Sequence, residues 1–310
     1  MSMESFGQRW KRDRHHFIFG MGASGFMGDL GGADQEGTNG LRDFNFSAVR
    51  PSLVGGYRYM LLENVGVTGN LTYGFVSGND SHTQEPYRNN RNIHFRSPIL
   101  ELSAQAQYYF LTAHREGARH GRITGARGVL RRFELALYAF AGIGGFWFNP
   151  QAHFDASNYN GSVPTEELPP NGWYNLRPLS TEGQGFFPTR DKYPSISMAI
   201  PFGIGAMLPL NRDLSIGIEF GYRKTFTDYI DDVSTTYVDP KIFSQMFEDP
   251  EQIALAEYFS NPSLNSLSEN VTAPGQQRGS PHSTDAYMFA FITVYYRVPQ
   301  LRPTYGLPRF

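Results

Sequence analysis

Residues Asp213–Arg223 read DLSIGIEFGYR. Leu214, Ile216, Ile218, Phe220 and Tyr222 fall on one side of an extended chain. Ser215, Gly217, Glu219, Gly221 and Arg223 fall on the other. Alternation of this length at a period of two specifies a β-strand with one apolar face. The second face is small or charged, which is unusual for a soluble sandwich strand packed on one side.

The same pattern recurs outward from this strand. Ile196, Met198, Ile200, Phe202, Ile204, Ala206 and Leu208 alternate with Ser197, Ala199, Pro201, Gly203 and Gly205. Leu100, Leu102, Ala104, Ala106, Tyr108 and Phe110 alternate with Glu101, Ser103, Gln105, Gln107 and Tyr109. Similar runs cover Val65–Phe75 and Val49–Tyr59, and weaker ones cover Phe17–Ser24, Glu134–Phe148 and Tyr287–Tyr296. About eight segments of about ten residues each are the signature of outer-membrane barrel strands. The connections alternate in length. Met60–Asn64 and Pro209–Asp213 are short, whereas Gly28–Asn45, Ser77–Asn92, Asn149–Tyr193 and Asp228–Thr284 are long and rich in Pro, Gly and Asn. The expected fold is all-β: an antiparallel transmembrane β-barrel of about eight strands, with short periplasmic turns and long extracellular loops. Both termini then lie on the short-turn side. Tyr57, Tyr59, Tyr73, Tyr108, Tyr222 and Tyr296 fall near segment ends, as aromatic girdles require.

Composition agrees. The 310 residues hold 33 Gly and 15% aromatics, with a formal net charge of −2. That balance implies no polyanionic partner, and nucleic acid is excluded as an expectation. Cysteine is absent, so disulfides and thiolate metal sites are excluded. No run approaches the roughly 18 apolar residues of a transmembrane helix. The division expected is an N-terminal segment over 1–14, the barrel over 15–298 and a periplasmic tail over 299–310. The first segment, MSMESFGQRWKRDR, has a basic start but no apolar core of a signal peptide, and a mis-assigned start is the simplest account.

Several residues invite chemistry. Arg50, Arg58, Glu101, Glu134, Glu219 and Arg223 share the inward face and carry both signs. In an eight-stranded barrel the interior is just wide enough for side chains, so a mixed-charge network there plugs the lumen. Leu111–Arg132 breaks the short-turn rule and contains Arg115, Arg119, Arg122 and Arg127 with the single acid Glu116. It reads as a solvated basic turn, or as a docking surface for an acidic periplasmic partner or for lipid phosphates. Asp228, Tyr229, Asp231 and Asp232 open the longest loop. With Asp239 these acids have the hard oxygens Ca²⁺ prefers, but not EF-hand spacing. Solvation of the loop mouth, or pairing with Arg223 and Lys224, is the plainer reading. Pro240–Phe259 has a partial amphipathic pattern and suits a short helix. Gly20-Met21-Gly22-Ala23-Ser24-Gly25 matches a dinucleotide fingerprint, yet Phe26–Gly32 cannot start the helix that motif needs. No cofactor and no metal site is expected. His153 and His282 lie in outer loops among serines, where a lipid-modifying enzyme would place a catalytic group.

The chain resembles a Bacteroidota outer-membrane barrel family that includes the PorG component of the type IX secretion system. The most distinctive block is YRKTFTDYIDDVSTTYVDP, Tyr222–Pro240. Others are GDLGG at 28–32, FAGIGGFWFNPQA at 140–152, LRPLSTEGQG at 176–185, IPFGIGA at 200–206 and QRGSP at 277–281. Together they cover roughly residues 15–300 in matching order. The resemblance implies an eight-stranded outer-membrane barrel and, for PorG-like members, association with periplasmic ring proteins of the secretion machine. It supplies no catalytic residues. The expected function is therefore a non-enzymatic barrel in contact with outer-membrane lipids that anchors or organises a periplasmic assembly. A narrow channel, a small-ligand receptor and an outer-membrane lipid enzyme are the alternatives.

Overall fold

The computed structural model describes residues 14–30, 49–83, 85–111, 135–211, 213–281 and 283–298. Ten strands form one sheet: β1 (His15–Met27), β2 (Arg50–Met60), β3 (Val65–Asn79), β4 (His94–Leu111), β5 (Ala136–Phe148), β6 (Gln151–Phe154), β7 (Gly172–Asn175), β8 (Ile196–Pro209), β9 (Leu214–Thr225) and β10 (Ala286–Arg297). Eight of them, all but β6 and β7, run β3-β2-β1-β10-β9-β8-β5-β4, and β4 pairs back onto β3. These eight strands thus form a closed antiparallel barrel, which leaves no edge in the wall. β6 and β7 form a hairpin outside the wall, attached to β4 through Arg96 and Gln151.

Local chemistry sets the short turns. Between β8 and β9 the Asn211 side chain accepts from the backbone N–H groups of Asp213 and Leu214, both at 2.9 Å, so the turn is closed by an Asx motif. Between β2 and β3, Leu61 and Leu62 both donate to the Val65 carbonyl, at 2.9 and 3.0 Å.

The outer face of the wall is apolar. Met21, Leu71, Leu102, Ile143, Ile204, Ile218 and Ile292 form a ring of side chains 52–67% exposed. Tyr57, Tyr73, Tyr108, Trp147 and Tyr296 are also outward and exposed. A continuous apolar belt of this kind needs a hydrocarbon solvent, and with short turns at one end and long loops at the other it is the architecture of an outer-membrane barrel. None of the described helices is long and apolar enough to cross a membrane.

Among the described residues, the long-loop end is packed into cores. Phe26, Leu30, Val76, Phe95, Ile99, Phe146, Phe148, Ile230, Val233, Tyr287 and Phe289 pack into one core at the outer half of the barrel. A second core lies above the wall and joins Phe154, Leu176, Leu179, Ile242, Phe243, Leu255 and Phe259. Short helices build the rest of this end. Helix α1 (Pro86–Arg91) lies between β3 and β4, and Glu85 caps it by accepting from Tyr87 and Arg88 N–H at 3.1 and 2.6 Å. The stretch Pro240–Phe259 is helical in pieces: a 3-10 turn over Pro240–Ile242, α2 (Phe243–Met246) and α3 (Pro250–Ser260). The break falls where Phe247 is extended and Asp249 caps α3 by accepting from Glu251 N–H.

Candidate functional site

Two polar layers fill the lumen. In the lower one the Arg58 guanidinium lies over the Tyr295 ring at 4.6 Å and donates to the Tyr109 hydroxyl at 2.5 Å. Tyr138 donates to Glu219 at 2.8 Å and shares a 2.8 Å hydrogen bond with the Tyr295 hydroxyl. In the upper layer Arg223 Nε meets Glu101 Oε2 at 3.3 Å, the Tyr287 hydroxyl donates to the same oxygen at 2.9 Å, and the guanidinium lies 4.8 Å over Phe289. Bulk is removed where these long side chains lie against the wall. A Cβ at Gly205 would fall on the Tyr138 ring, and one at Gly221 on Arg223 Nη1. The glycines at 20, 22 and 25 lie within β1, so the Gly20–Gly25 motif is wall and not a phosphate loop.

The structure pairs Arg223 directly with Glu101, whereas Arg58 reaches Glu219 only through Tyr295 and Tyr138, and Glu219 also feels the charges of Arg223 and Glu101, so the two layers are linked. Arg50 does not join them. It begins β2 at the outer rim, paired with Ser24 of β1 but beyond the β2–β3 pairing, and its side chain is exposed. Glu134 lies outside the described residues, as do Arg115, Arg119, Arg122 and Arg127, most of the 1–14 segment and all of the 299–310 tail.

Above the barrel a buried network ties the loops together. Asp231 and Asp232 are fully buried, which corrects the expectation that the loop acids solvate its mouth. Nor do they pair with Arg223, which turns into the lumen, or Lys224, which is exposed. Asp232 sits at φ +64° and accepts from the hydroxyls of Thr181 and Tyr193, both at 2.5 Å. Asp231 accepts from Leu30 N–H at 3.2 Å and Val233 N–H at 3.1 Å. The half-buried Tyr229 ring stacks on Tyr193 at 4.5 Å. Asp239 is exposed and caps the 3-10 turn by accepting from Lys241 N–H. The acids thus turn to different neighbours, and the described residues hold no group of three or more His, Cys, Asp or Glu fit to bind a metal ion.

Residues that sequence reasoning did not single out do most of the tying. Arg278 donates to Glu182 at 2.9 Å and to the Asp232 and Phe259 carbonyls at 2.7 and 3.2 Å. Glu182 also accepts from the N–H groups of Ser234 and Thr235, both at 3.0 Å. Arg91 forms two bonds to Asp80, at 2.6 and 3.0 Å, and reaches the carbonyls of Arg278 and Asp29, both at 2.8 Å. Asp29 accepts from Ser280 N–H at 2.7 Å. Residues 28–30 of the first block and the blocks 176–185, 222–240 and 277–281 are distant in sequence and meet here. Their membership in the quoted blocks was the available signal for Glu182, Asp29 and Arg278; Arg91 and Asp80 had none.

Carboxyls crowd the base of this cap. Burial pushes Asp228 up to about 8 and Asp232 up to about 6. Burial and then mutual repulsion with their acidic neighbours raise Asp231 and Asp285 well above the usual carboxylate range, and burial raises Asp29. One oxygen of Asp285 accepts from Ile230 N–H at 2.8 Å.

Between the end of β1, α1 and the 271–283 stretch opens a cavity of about 740 Å³. Elsewhere on the cap, His153 packs against Trp173, whose ring also lies 3.8 Å from the Arg96 guanidinium. No described hydrogen bond joins the His153 ring to a serine.

No protein-family model matches the sequence, and no curated protein matches it. Among solved structures, the attachment invasion locus protein Ail of Yersinia pestis, in complex with the heparin analogue sucrose octasulfate, is 9% identical with a TM-score of 0.36, covering 93% of this chain and 99% of that one. Neisserial surface protein A is 7% identical with a TM-score of 0.36, covering 92% and 96%. A major outer-membrane protein from Thermus thermophilus is 10% identical with a TM-score of 0.38, covering 92% and 99%.

Proposed function

We propose that this chain is a non-enzymatic outer-membrane barrel that anchors or organises a periplasmic assembly, as a PorG-like component of a Bacteroidota type IX secretion system. The observation that carries the reading is the filled lumen. Polar layers around Arg58, Tyr295 and Glu219 and around Glu101 and Arg223 occupy the interior, so the useful surfaces are the two ends and the lipid belt. The meeting of four family-like blocks in one buried network supports the resemblance, because a constellation held in three dimensions is more specific than four short strings. Outer-membrane lipids contact the belt. Periplasmic ring proteins are the proposed partners, and Arg115, Arg119, Arg122 and Arg127 are their proposed contact, through charge complementarity with an acidic surface.

The test is recovery of the tagged protein from native outer membranes in mild detergent, with identification of what accompanies it. Stoichiometric periplasmic ring proteins are expected, and a triple charge reversal of Arg115, Arg119 and Arg122 to Glu should deplete them and reduce secretion. Unchanged recovery and secretion in that variant would overturn the periplasmic contact. A second reading, a small-ligand receptor, is favoured by the cavity in the outer cap.

A further inference from the structure

The cavity beside α1 has walls of a particular chemistry. Its lining includes three arginines, and each faces a carboxylate: Arg88 and Arg91 meet Asp80, and Arg278 meets Glu182. Arg91 is held by Asp80 and two carbonyls, and Arg278 by Glu182 and two carbonyls. An anion entering here meets no arginine without a carboxylate beside it, and it also meets Asp29 and Glu85 in the lining. An apolar ligand fares no better, because Val271 is the main aliphatic side chain among the lining residues. What the wall offers is a dense mixture of donors and acceptors, from Thr272, Gln277, Ser280 and the two acids. At its edge Tyr87 presents a ring 60% exposed. Within the lining, the Tyr237 hydroxyl and Arg278 Nε have no hydrogen-bond partner although both side chains are nearly fully buried, so the lining is short of acceptors.

We infer that this cavity is a binding site for a neutral, hydroxyl-rich saccharide of one or two sugar units. Hydroxyl groups donate and accept at once, which suits a wall where both kinds of group alternate. An exposed tyrosine ring provides an apolar face for the C–H side of a sugar and a polar tip for its hydroxyls. The volume falls within the roughly 300–1,000 Å³ of small-molecule sites. Arg91 and Arg278 are immobilised before any ligand arrives, so binding orders little of that part of the lining. The site opens at the outer end of the barrel, where external saccharides reach it. This inference does not rest on the periplasmic role and stands or falls separately from it.

The experiment is calorimetric titration of the full-length barrel in lauryldimethylamine oxide, a detergent without a sugar head group. The probes are maltose, cellobiose, lactose and N,N′-diacetylchitobiose, with sucrose octasulfate as the anionic comparison. At least one neutral disaccharide should bind saturably, and Tyr87→Ala and Gln277→Ala should each weaken it about tenfold or more, which corresponds to about 1.4 kcal/mol. Both variants should keep the heat-modifiable gel migration of a folded barrel. Three results would overturn the inference: no saturable binding of any neutral probe, binding of the octasulfate alone, or neutral binding that survives both substitutions within twofold.

Discussion

Consider the double replacement Glu101→Gln with Arg223→Met. The two side chains are 0% and 2% exposed and meet at 3.3 Å inside the barrel. At an effective dielectric of about 20, unit charges at that distance attract by about 5 kcal/mol, which is an upper bound before desolvation is subtracted. The geometry is a single contact rather than a bidentate fork, and Glu101 Oε1 has no partner. The desolvation cost is therefore only partly offset. Removing one member strands the other charge in the lumen, and each single variant should lose about 3–5 kcal/mol. In the double variant neither member of the pair is left charged, and Glu219, which loses the attraction of Arg223, keeps the Tyr138 hydroxyl and the Arg58 charge. The introduced methionine fills the volume over Phe289, and the glutamine oxygen still accepts from Tyr287. Its loss should be no more than about 1–2 kcal/mol, close to the one or two hydrogen bonds weakened. The assay is urea unfolding of the barrel in phospholipid vesicles, followed by tryptophan fluorescence and by heat-modifiable migration. Trp147, exposed on the outer face of β5, reports insertion. The refuting result is additivity: if the double variant loses the sum of the singles, Glu101 and Arg223 act on separate surroundings and the paired plug is wrong.

Other consequences are open to similar measurement. Ile204→Lys, on the exposed apolar ring, should cost about 2–4 kcal/mol in the vesicle assay, whereas Tyr296→Lys near the strand end should cost about 0–1; equal costs would remove the case for a lipid-facing belt. Gly205→Val should yield no heat-modifiable folded form because its side chain falls on Tyr138, whereas Gly69→Ala, with nothing within 4 Å of its Cβ, should fold normally. The cap should loosen in alkali. Asp232 and Asp228 have folded values raised to about 6 and about 8 from the usual 3.8, so the stability they contribute is complete below about pH 4 and is lost as pH rises through those values. Hydrogen exchange over residues 226–260 should accelerate between about pH 5 and pH 9 beyond the intrinsic base-catalysed rate, and Asp228→Asn should blunt the upper part of that rise; a flat corrected profile would contradict the buried, protonated reading.

The wall was legible in the sequence because each of its rules is local. Alternation places Ile218 outward and Glu219 inward whatever the neighbours are, and the turn at Asn211 closes through its own side chain. Even the pairing of charges across the lumen follows, once the strands close, from residues on one face at matching heights. Arg50 shows where locality ends: it has the inward parity of Arg58, but parity says nothing about where the wall stops, and its strand starts at the rim. The cap obeys no period. Glu182 receives Arg278 from nearly a hundred positions away, and Asp29 accepts from Ser280 across a longer separation still. Such bonds carry no repeating signature in a single sequence, so acids that looked like a solvated loop mouth turn out to be buried ties. Their burial also changes what the cap can do. Side chains that spend their hydrogen bonds on one another cannot rearrange cheaply, since each group freed inside the cap would cost about 1–3 kcal/mol. Over the described residues, a cap tied in this way above a filled lumen opposes transport by movement of those loops. Under the two proposals made above, recognition would fall to preformed surfaces at the ends of the barrel.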